Sequence, residues 1–208
     1  FKFATAKFIT IEGIQIWTQR LSYVGELGYE LYVELKNAKK IYELIVDTGK
    51  NFNLSNCGMH TMDIMRMESG FLHWGHDISP EENQYQAGLS FTISSKKGID
   101  FVGKEALENI KNNKIKNRFA MFTLKQSKPG EPLLLHDEPI YLEDKIIGRS
   151  TSGNYSFNFK TNLVFGYIEN KFTNEELKSK DLFIEVEKKK YPIIIQSKPL
   201  KRTDFKNL

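Results

Sequence analysis

The strongest constraint on the fold comes from the second half of the chain, where short β-prone runs alternate with turn residues. The runs are Phe119–Leu124, Pro139–Leu142, Lys145–Thr151, Val164–Ile168, Leu182–Val186 and Tyr191–Gln196. Turn signals between them include residues 128–130 (Lys-Pro-Gly), 143–144 (Glu-Asp) and 152–154 (Ser-Gly-Asn). Short strands at this spacing are typical of a small β-barrel or a sandwich. The second half of the chain is therefore predicted to be all-β.

The first half has a mixed pattern. Apolar and polar residues alternate around Ile16, and Tyr29–Val33 is rich in β-formers, with Gly25 and Gly28 breaking the two strands. Further predicted elements are helices at Ala38–Thr48, Met59–Ser69 and Lys104–Ile110, a strand at Ala87–Ile93, and a linker at Lys111–Asn117. The first half is therefore predicted to combine strands with helices, which places the whole chain in the α+β class.

Composition excludes several classes of function. Thirty basic residues stand against 26 acidic ones, and this balance argues against a nucleic-acid partner. Cys57 is the only cysteine, so no intrachain disulfide can form, and a reducing compartment such as the cytoplasm is predicted. The four histidines show no metal-ligand spacing, and no apolar run approaches 18 residues, so neither a metal site nor a membrane span is expected. The chain begins at Phe1 rather than methionine, and we expect it to be part of a longer protein.

Several motifs occur in a fixed order along the chain. They are Tyr23-x-Gly-Glu-x-Gly-Tyr-Glu30, Asp63-x-x-Arg-x-Glu-x-Gly70, Gly75-x-Asp77, Gln86-Ala-Gly-Leu89, Phe101-x-Gly-Lys-Glu-Ala106 and Thr151-Ser-Gly-x-Tyr-Ser156. Each motif alone is weak, but the ordered set resembles the glycine-cleavage T-protein (aminomethyltransferase) family. The amino-acid sequence around residues 22–31 and 73–82 most resembles that of the C-terminal, folate-binding half of sarcosine and dimethylglycine dehydrogenases.

The resemblance implies both a fold and a function. Residues 1–112 would be the C-terminal portion of a folate-binding domain, and residues 113–208 the small C-terminal β-barrel domain. The parent enzyme would transfer a one-carbon unit from an N-methyl amine or aminomethyl donor to tetrahydrofolate, with FAD possible in an upstream region. Alternatives are a stand-alone aminomethyltransferase, a related folate-dependent demethylase, and a binding module without catalysis. An oligomer is possible in each case.

Three residues are candidates for binding the folate. The carboxylate of Glu30 can accept two hydrogen bonds from the amine and ring N–H of a pteridine, and the resemblance assigns this position to such an anchor. Tyr23, across the glycine loop, can stack on a flat heterocycle, and Phe71 falls where the family places an aromatic residue near the ligand. The alternatives are an outward-facing strand carboxylate for Glu30 and core aromatic residues for Tyr23 and Phe71.

The sequence also departs from the family. Stand-alone T-proteins have an arginine that contacts the folate immediately before the motif aspartate, and here Met62 precedes Asp63. This difference favours a fused dehydrogenase or another member with altered ligand contacts. No position corresponds to the family's catalytic aspartate, which lies further upstream, so we predict no catalytic residue in this chain and no catalysis by the chain alone.

Charged residues near the motifs have structural explanations. Asp63, Arg66 and Glu68 are expected to link the second helix to the neighbouring loop through hydrogen bonds. Asp77 and His76 could form an acid/base pair, but an aspartate in a loop beside glycine more often caps a turn.

Overall fold

The computed structural model describes residues 1–94, 98–113 and 115–201, which divide by their contacts into two units. The first unit contains Phe1–Ser69 and Lys201, and the second contains Gly70–Leu200. Both helices and strands are present, and this confirms the predicted mixed class. The domain division predicted at residues 112/113 stays a prediction.

The first unit contains a three-stranded antiparallel sheet, β1-β2-β3, and two helices. The strands are β1 (Ala6–Ile11), β2 (Ile14–Gln19) and β3 (Glu30–Tyr32); the helices are α1 (Leu35–Gly49), followed by a 3₁₀ turn at Lys50–Phe52, and α2 (Met59–Glu68). The β1–β2 turn consists of Glu12 and Gly13, both with positive φ (49° and 75°). This is the conformation of a tight type I′ hairpin turn, whose twist matches that of the strands it joins.

The two faces of this sheet differ in burial because successive strand residues point to opposite sides. Ile16 and Thr18 of β2 are fully buried on one face, whereas Phe8 of β1 and Tyr32 of β3, on the other, are exposed. In α1, Ile41 is buried, which agrees with the predicted amphipathic face. The helix begins three residues earlier than predicted, at Leu35.

The second unit contains a closed antiparallel barrel with the strand order β4-β7-β6-β5-β8-β9, in which β9 pairs again with β4. This confirms the predicted C-terminal β-barrel. The strands are β4 (Asn117–Leu124), β5 (Pro139–Leu142), β6 (Lys145–Ser156), β7 (Thr161–Glu169), β8 (Leu182–Val186) and β9 (Lys189–Gln196). Helices α3 (Lys104–Asn112) and α4 (Asn174–Lys178) and a 3₁₀ turn at Ser90–Thr92 complete the unit.

The barrel core is formed by aliphatic residues and one phenylalanine. They are Ala120, Phe122, Leu124, Leu134, Ile140, Ile147, Val164, Ile168, Leu177, Leu182, Ile184, Ile193 and Ile195. Most lie at alternating strand positions, as closure of a sheet requires. The strands also approach closely: a Cβ at Gly148 of β6 would collide with the carbonyl oxygen of Tyr167 on β7.

Two local predictions in this unit are wrong. Residues 87–93 form turns and the 3₁₀ helix instead of a strand, because Gly88 has φ +71° and no ladder partner reaches this described segment. Residues 152–154 are not a turn but part of β6, where Ser152 is buried and pairs with Phe165 of β7. The small residues serve close packing here, since a Cβ on Gly153 would overlap Leu134.

Helix α4 was absent from the predicted elements. It begins with a capping box in which the Thr173 hydroxyl accepts from the Glu176 N–H and the Glu176 carboxylate accepts from the Thr173 N–H. The helix is only five residues long, and its buried Leu177 joins the barrel core. The segment is too short to show periodicity, but Thr173 and Glu176 stand at the spacing of a capping box, which is the sequence signal for this helix.

Candidate functional site

Glu30 lies at the first position of β3, where its backbone pairs with Gln19 of β2. Its side chain is exposed, and its Oε2 accepts a hydrogen bond of 2.9 Å from the hydroxyl of Tyr32, two residues along the same strand. This hydrogen bond to Glu30 raises the pKa of Tyr32 above its ordinary value. The predicted anchor is therefore a solvent-accessible carboxylate that a neighbouring phenol already contacts.

An aromatic row crosses the same face of the sheet. Strand register places Phe8 opposite Trp17, and Trp17 opposite Tyr32. The rings of Phe8 and Trp17 lie edge to face with centroids 5.0 Å apart. Phe8 is 63% exposed and Tyr32 52% exposed, so both ends of the row are accessible to solvent. Because Glu30 and Tyr32 are two residues apart on one strand, the carboxylate lies on this aromatic face.

The glycine loop between β2 and β3 carries Tyr23, which is half-buried. The loop is fixed at several points: the Glu26 N–H donates to the Ser22 hydroxyl (3.0 Å), and the Ser69 hydroxyl donates to the Val24 carbonyl (3.1 Å). At Gly25, φ is +68°, a conformation that glycine adopts without strain. The loop is thus a defined structure that holds Tyr23 between the two strands.

Phe71 lies in the other unit, directly after Gly70, whose φ of +75° follows the end of α2. Its side chain is half-buried. Tyr23 and Glu30 belong to the first unit. The two residues predicted from the glycine-loop motif therefore share a unit, and the role of Phe71 stays a prediction.

Asp77 is the centre of a buried polar cluster in the second unit. Its side chain is 1% exposed; Oδ1 accepts from the hydroxyls of Thr151 (2.6 Å) and Ser152 (2.8 Å), and Oδ2 accepts from the N–H of His73 (2.9 Å). The carboxylate thus caps the turn at residues 73–77 and joins it to β6. These contacts explain Asp77 structurally, and His76 instead places its ring 4.5 Å from that of His73.

The α2 cluster is also structural. Arg66 is 1% exposed and binds Asp63 Oδ1 through Nε (2.8 Å) and Nη2 (2.7 Å). The carbonyl of Glu68 accepts from the Lys201 N–H (2.8 Å), which joins Lys201 to the end of this helix. Arg66 and Asp63 therefore pair within the helix itself, and the predicted link from these charged side chains to the neighbouring loop stays a prediction.

No group of histidine, cysteine, aspartate or glutamate side chains suited to a metal ion occurs within residues 1–94, 98–113 and 115–201. Over the same ranges, no helix has the length and apolar character needed to cross a bilayer.

Comparisons with known proteins account for both parts of the chain. Residues 1–97 match the model of the GCVT N-terminal domain, and residues 117–201 match that of the glycine cleavage T-protein C-terminal barrel domain. The chain belongs to the glycine-cleavage T-protein family. The barrel that this family model describes is the closed barrel of the second unit.

Relatives within the T-protein family include both dehydrogenases and transferases. The chain is 31% identical to human mitochondrial dimethylglycine dehydrogenase over 98% of its own length and 23% of that protein. It is 29% identical to an aminomethyltransferase of Symbiobacterium thermophilum over 80% of its length and 44% of that protein. The structure also superimposes on the crystal structure of aminomethyltransferase T from Bartonella henselae with a TM-score of 0.81 and 21% identity. The match includes 98% of this chain and 54% of the Bartonella chain, and it shows that the two share a fold. The chain thus spans less than half the length of these two sequence relatives.

The T-protein motifs led to Glu30, Tyr23 and Phe71 but not to Tyr32, Trp17 or Phe8. The sequence did contain a signal for the aromatic row. Trp17 is two residues from Gln19 on β2, and Tyr32 is two residues from Glu30 on β3, so each aromatic residue shares a face with its partner two positions away. What the sequence lacked was the register, since pairing of β1 with β2 and of β2 with β3 determines which side chains lie opposite one another.

Proposed function

We propose that this chain binds tetrahydrofolate and forms the folate-handling part of a one-carbon transfer enzyme resembling sarcosine and dimethylglycine dehydrogenases. The observation that carries the proposal is the exposed Glu30 carboxylate beside the aromatic row of Phe8, Trp17 and Tyr32. A pteridine presents an exocyclic amine beside a ring N–H, which is the two-donor edge that a carboxylate can accept. The family of the chain independently supports folate as the ligand.

The chemistry of the two partners is complementary. A carboxylate accepts a pair of parallel hydrogen bonds from adjacent N–H donors, which fixes the orientation of the ring as well as its position. Aromatic side chains contribute stacking area to a flat heterocycle. We propose that Glu30 anchors the pteridine, and that Tyr23 and Phe71 contact it.

The reaction proposed for the parent protein is transfer of a one-carbon unit from an N-methyl amine or aminomethyl donor to a folate nitrogen, giving methylenetetrahydrofolate. The contribution of this chain would be to bind and orient the acceptor, so that capture of the one-carbon unit occurs within one complex. The catalytic aspartate and any FAD would be supplied by other parts of the parent, and no residue here is assigned to either. We therefore propose that this chain alone does not catalyse the reaction.

The alternative is a stand-alone aminomethyltransferase, and one substitution favours the dehydrogenase type over it. Met62 occupies the half-buried position on α2 immediately before Asp63, where stand-alone T-proteins have an arginine that contacts the folate. A thioether cannot form an ion pair with a folate carboxylate. A binding module without catalysis is the second alternative, and it shares the proposed folate site.

The compartment is also a proposal. The single cysteine, Cys57, is free and exposed, which suits a reducing environment such as the cytoplasm. The human relative is named as a mitochondrial enzyme.

Titration of the chain with 5-formyltetrahydrofolate, a stable folate, tests the proposal by isothermal calorimetry. Glu30→Ala is expected to lower the affinity by about 10-fold or more, the effect of removing hydrogen bonds to a charged group. Glu43→Ala, which removes an exposed carboxylate on α1, is the matched control and should bind like the unmodified chain. Equal affinities for Glu30→Ala and the unmodified chain would contradict the proposal, as would a lack of binding by the unmodified chain.

A further inference from the structure

We infer that Tyr32 is a positioning residue for folate binding, because its hydroxyl holds the Glu30 carboxylate in one orientation on the aromatic face. The inference rests on the proposed function and adds a residue that none of the sequence motifs includes. Its basis is the 2.9 Å hydrogen bond from the Tyr32 hydroxyl to Glu30 Oε2.

An exposed glutamate on a strand needs such a partner to be an effective anchor. Its side chain has three rotatable bonds, and fixing them on ligand binding costs up to about 2 kcal/mol of conformational entropy. A hydrogen bond formed before the ligand arrives restricts these rotations and so reduces the cost at the moment of binding. Preorganisation of this kind acts on affinity through the carboxylate and requires no hydrogen bond between the Tyr32 hydroxyl and the ligand.

Strand geometry explains why Tyr32 can fill this role. Residues two apart on a strand share a face and lie about 6.6 Å apart along it, a distance that the length of a tyrosine side chain spans. Tyr32 also lies directly opposite Trp17 on β2, so its ring has an aromatic cross-strand neighbour. The neighbouring Leu31 lies on the opposite face by parity, and Tyr29 precedes the strand and places its ring 5.5 Å from that of Phe1.

The hydrogen bond uses only part of the acceptor capacity of the carboxylate. Oε2 accepts from Tyr32, and a carboxylate offers about four lone-pair positions on its two oxygens. Two N–H donors of a pteridine can therefore bind Glu30 while the phenol remains in place. A phenylalanine at position 32 would keep the ring and lose only the donor.

A double-mutant cycle on folate affinity tests the inference. With 5-formyltetrahydrofolate as the probe, Tyr32→Phe is expected to weaken binding by about 3- to 10-fold, because the ligand must then meet part of the conformational entropy cost that the preformed hydrogen bond had spared. In the Glu30→Ala background the same substitution should have no further effect, because no carboxylate remains to be held. The control is Tyr42→Phe, which should leave the affinity unchanged. It removes another exposed tyrosine hydroxyl, one that accepts a hydrogen bond from Asn56.

The outcomes distinguish this inference from the proposed function. Unchanged affinity in Tyr32→Phe, with Glu30→Ala still weakened, overturns the positioning role alone. An equal loss on adding Tyr32→Phe to the unmodified chain and to Glu30→Ala also overturns it, since Tyr32 would then act independently of the carboxylate. Failure of the unmodified chain to bind the probe overturns both statements.

Discussion

Replacement of Asp77 by asparagine is the change with the clearest expected effect on stability. The buried carboxylate accepts hydrogen bonds from Thr151, Ser152 and the backbone of His73. Asparagine is nearly the same size and keeps one oxygen for the two hydroxyls. Its NH₂ group would take the place of Oδ2 and face the His73 N–H. Because both groups are donors, the hydrogen bond to His73 would be lost.

The magnitude follows from these contacts. A hydrogen bond to a charged group contributes about 1.5–3 kcal/mol, and a neutral one about 1 kcal/mol. Asp77→Asn loses the charged bond to His73 and weakens those to Thr151 and Ser152. We therefore expect the free energy of unfolding to fall by about 3 kcal/mol, a large part of the stability of a typical domain.

Urea unfolding followed by far-UV circular dichroism measures this change. The control is Asp144→Asn, because Asp144 is fully exposed and contacts Lys190 at 3.0 Å on the surface. Exposed ion pairs contribute about 1 kcal/mol or less, so the control should unfold near the midpoint of the unmodified chain. A loss below about 0.5 kcal/mol in Asp77→Asn would refute the structural role of Asp77, since surface substitutions also produce changes of that size.

Two further predictions concern the barrel. Gly148→Ala should destabilise the chain by about 1–3 kcal/mol in urea unfolding, because the new Cβ overlaps the Tyr167 carbonyl. Gly58→Ala places its Cβ in open space at the N-cap of α2 and should destabilise the chain less. Burial, together with the nearby carboxylates of Glu82 and Asp77, raises the pKa of Tyr167. The protonated phenol therefore contributes to the stability of the folded chain below pH 10, and this contribution is lost as the pH rises further. The unfolded tyrosine is already half ionised at pH 10, so between pH 10 and 11 the unmodified chain should lose about 1 kcal/mol more unfolding free energy than Tyr167→Phe, and equal losses would contradict this assignment.

The barrel was the part of the fold most accessible from sequence. Strands β5 and β8 agree with their predicted limits, because their apolar residues alternate and turns bound them on both sides. The interior of β6 was not accessible: Ser152 and Gly153 carry turn signals, but burial against β7 and Leu134 determines their conformation.

The candidate site divides in the same way. Glu30 and Tyr23 were found because a motif carries them, and the motif spans one short loop and its flanking residues. The partners of Asp77 lie 74 and 75 residues further along the chain, so no local pattern could connect them. Tyr32 required the strand register and a side-chain contact, which only the three-dimensional structure supplies.

A crystal structure of the chain bound to 5-formyltetrahydrofolate tests the central claim most directly. The account predicts the pteridine against the aromatic row, with its amine and ring N–H each about 2.8 Å from an oxygen of Glu30. The Tyr32 hydroxyl should still donate to the same carboxylate. A pteridine bound elsewhere on the chain, with Glu30 facing solvent, would contradict the account.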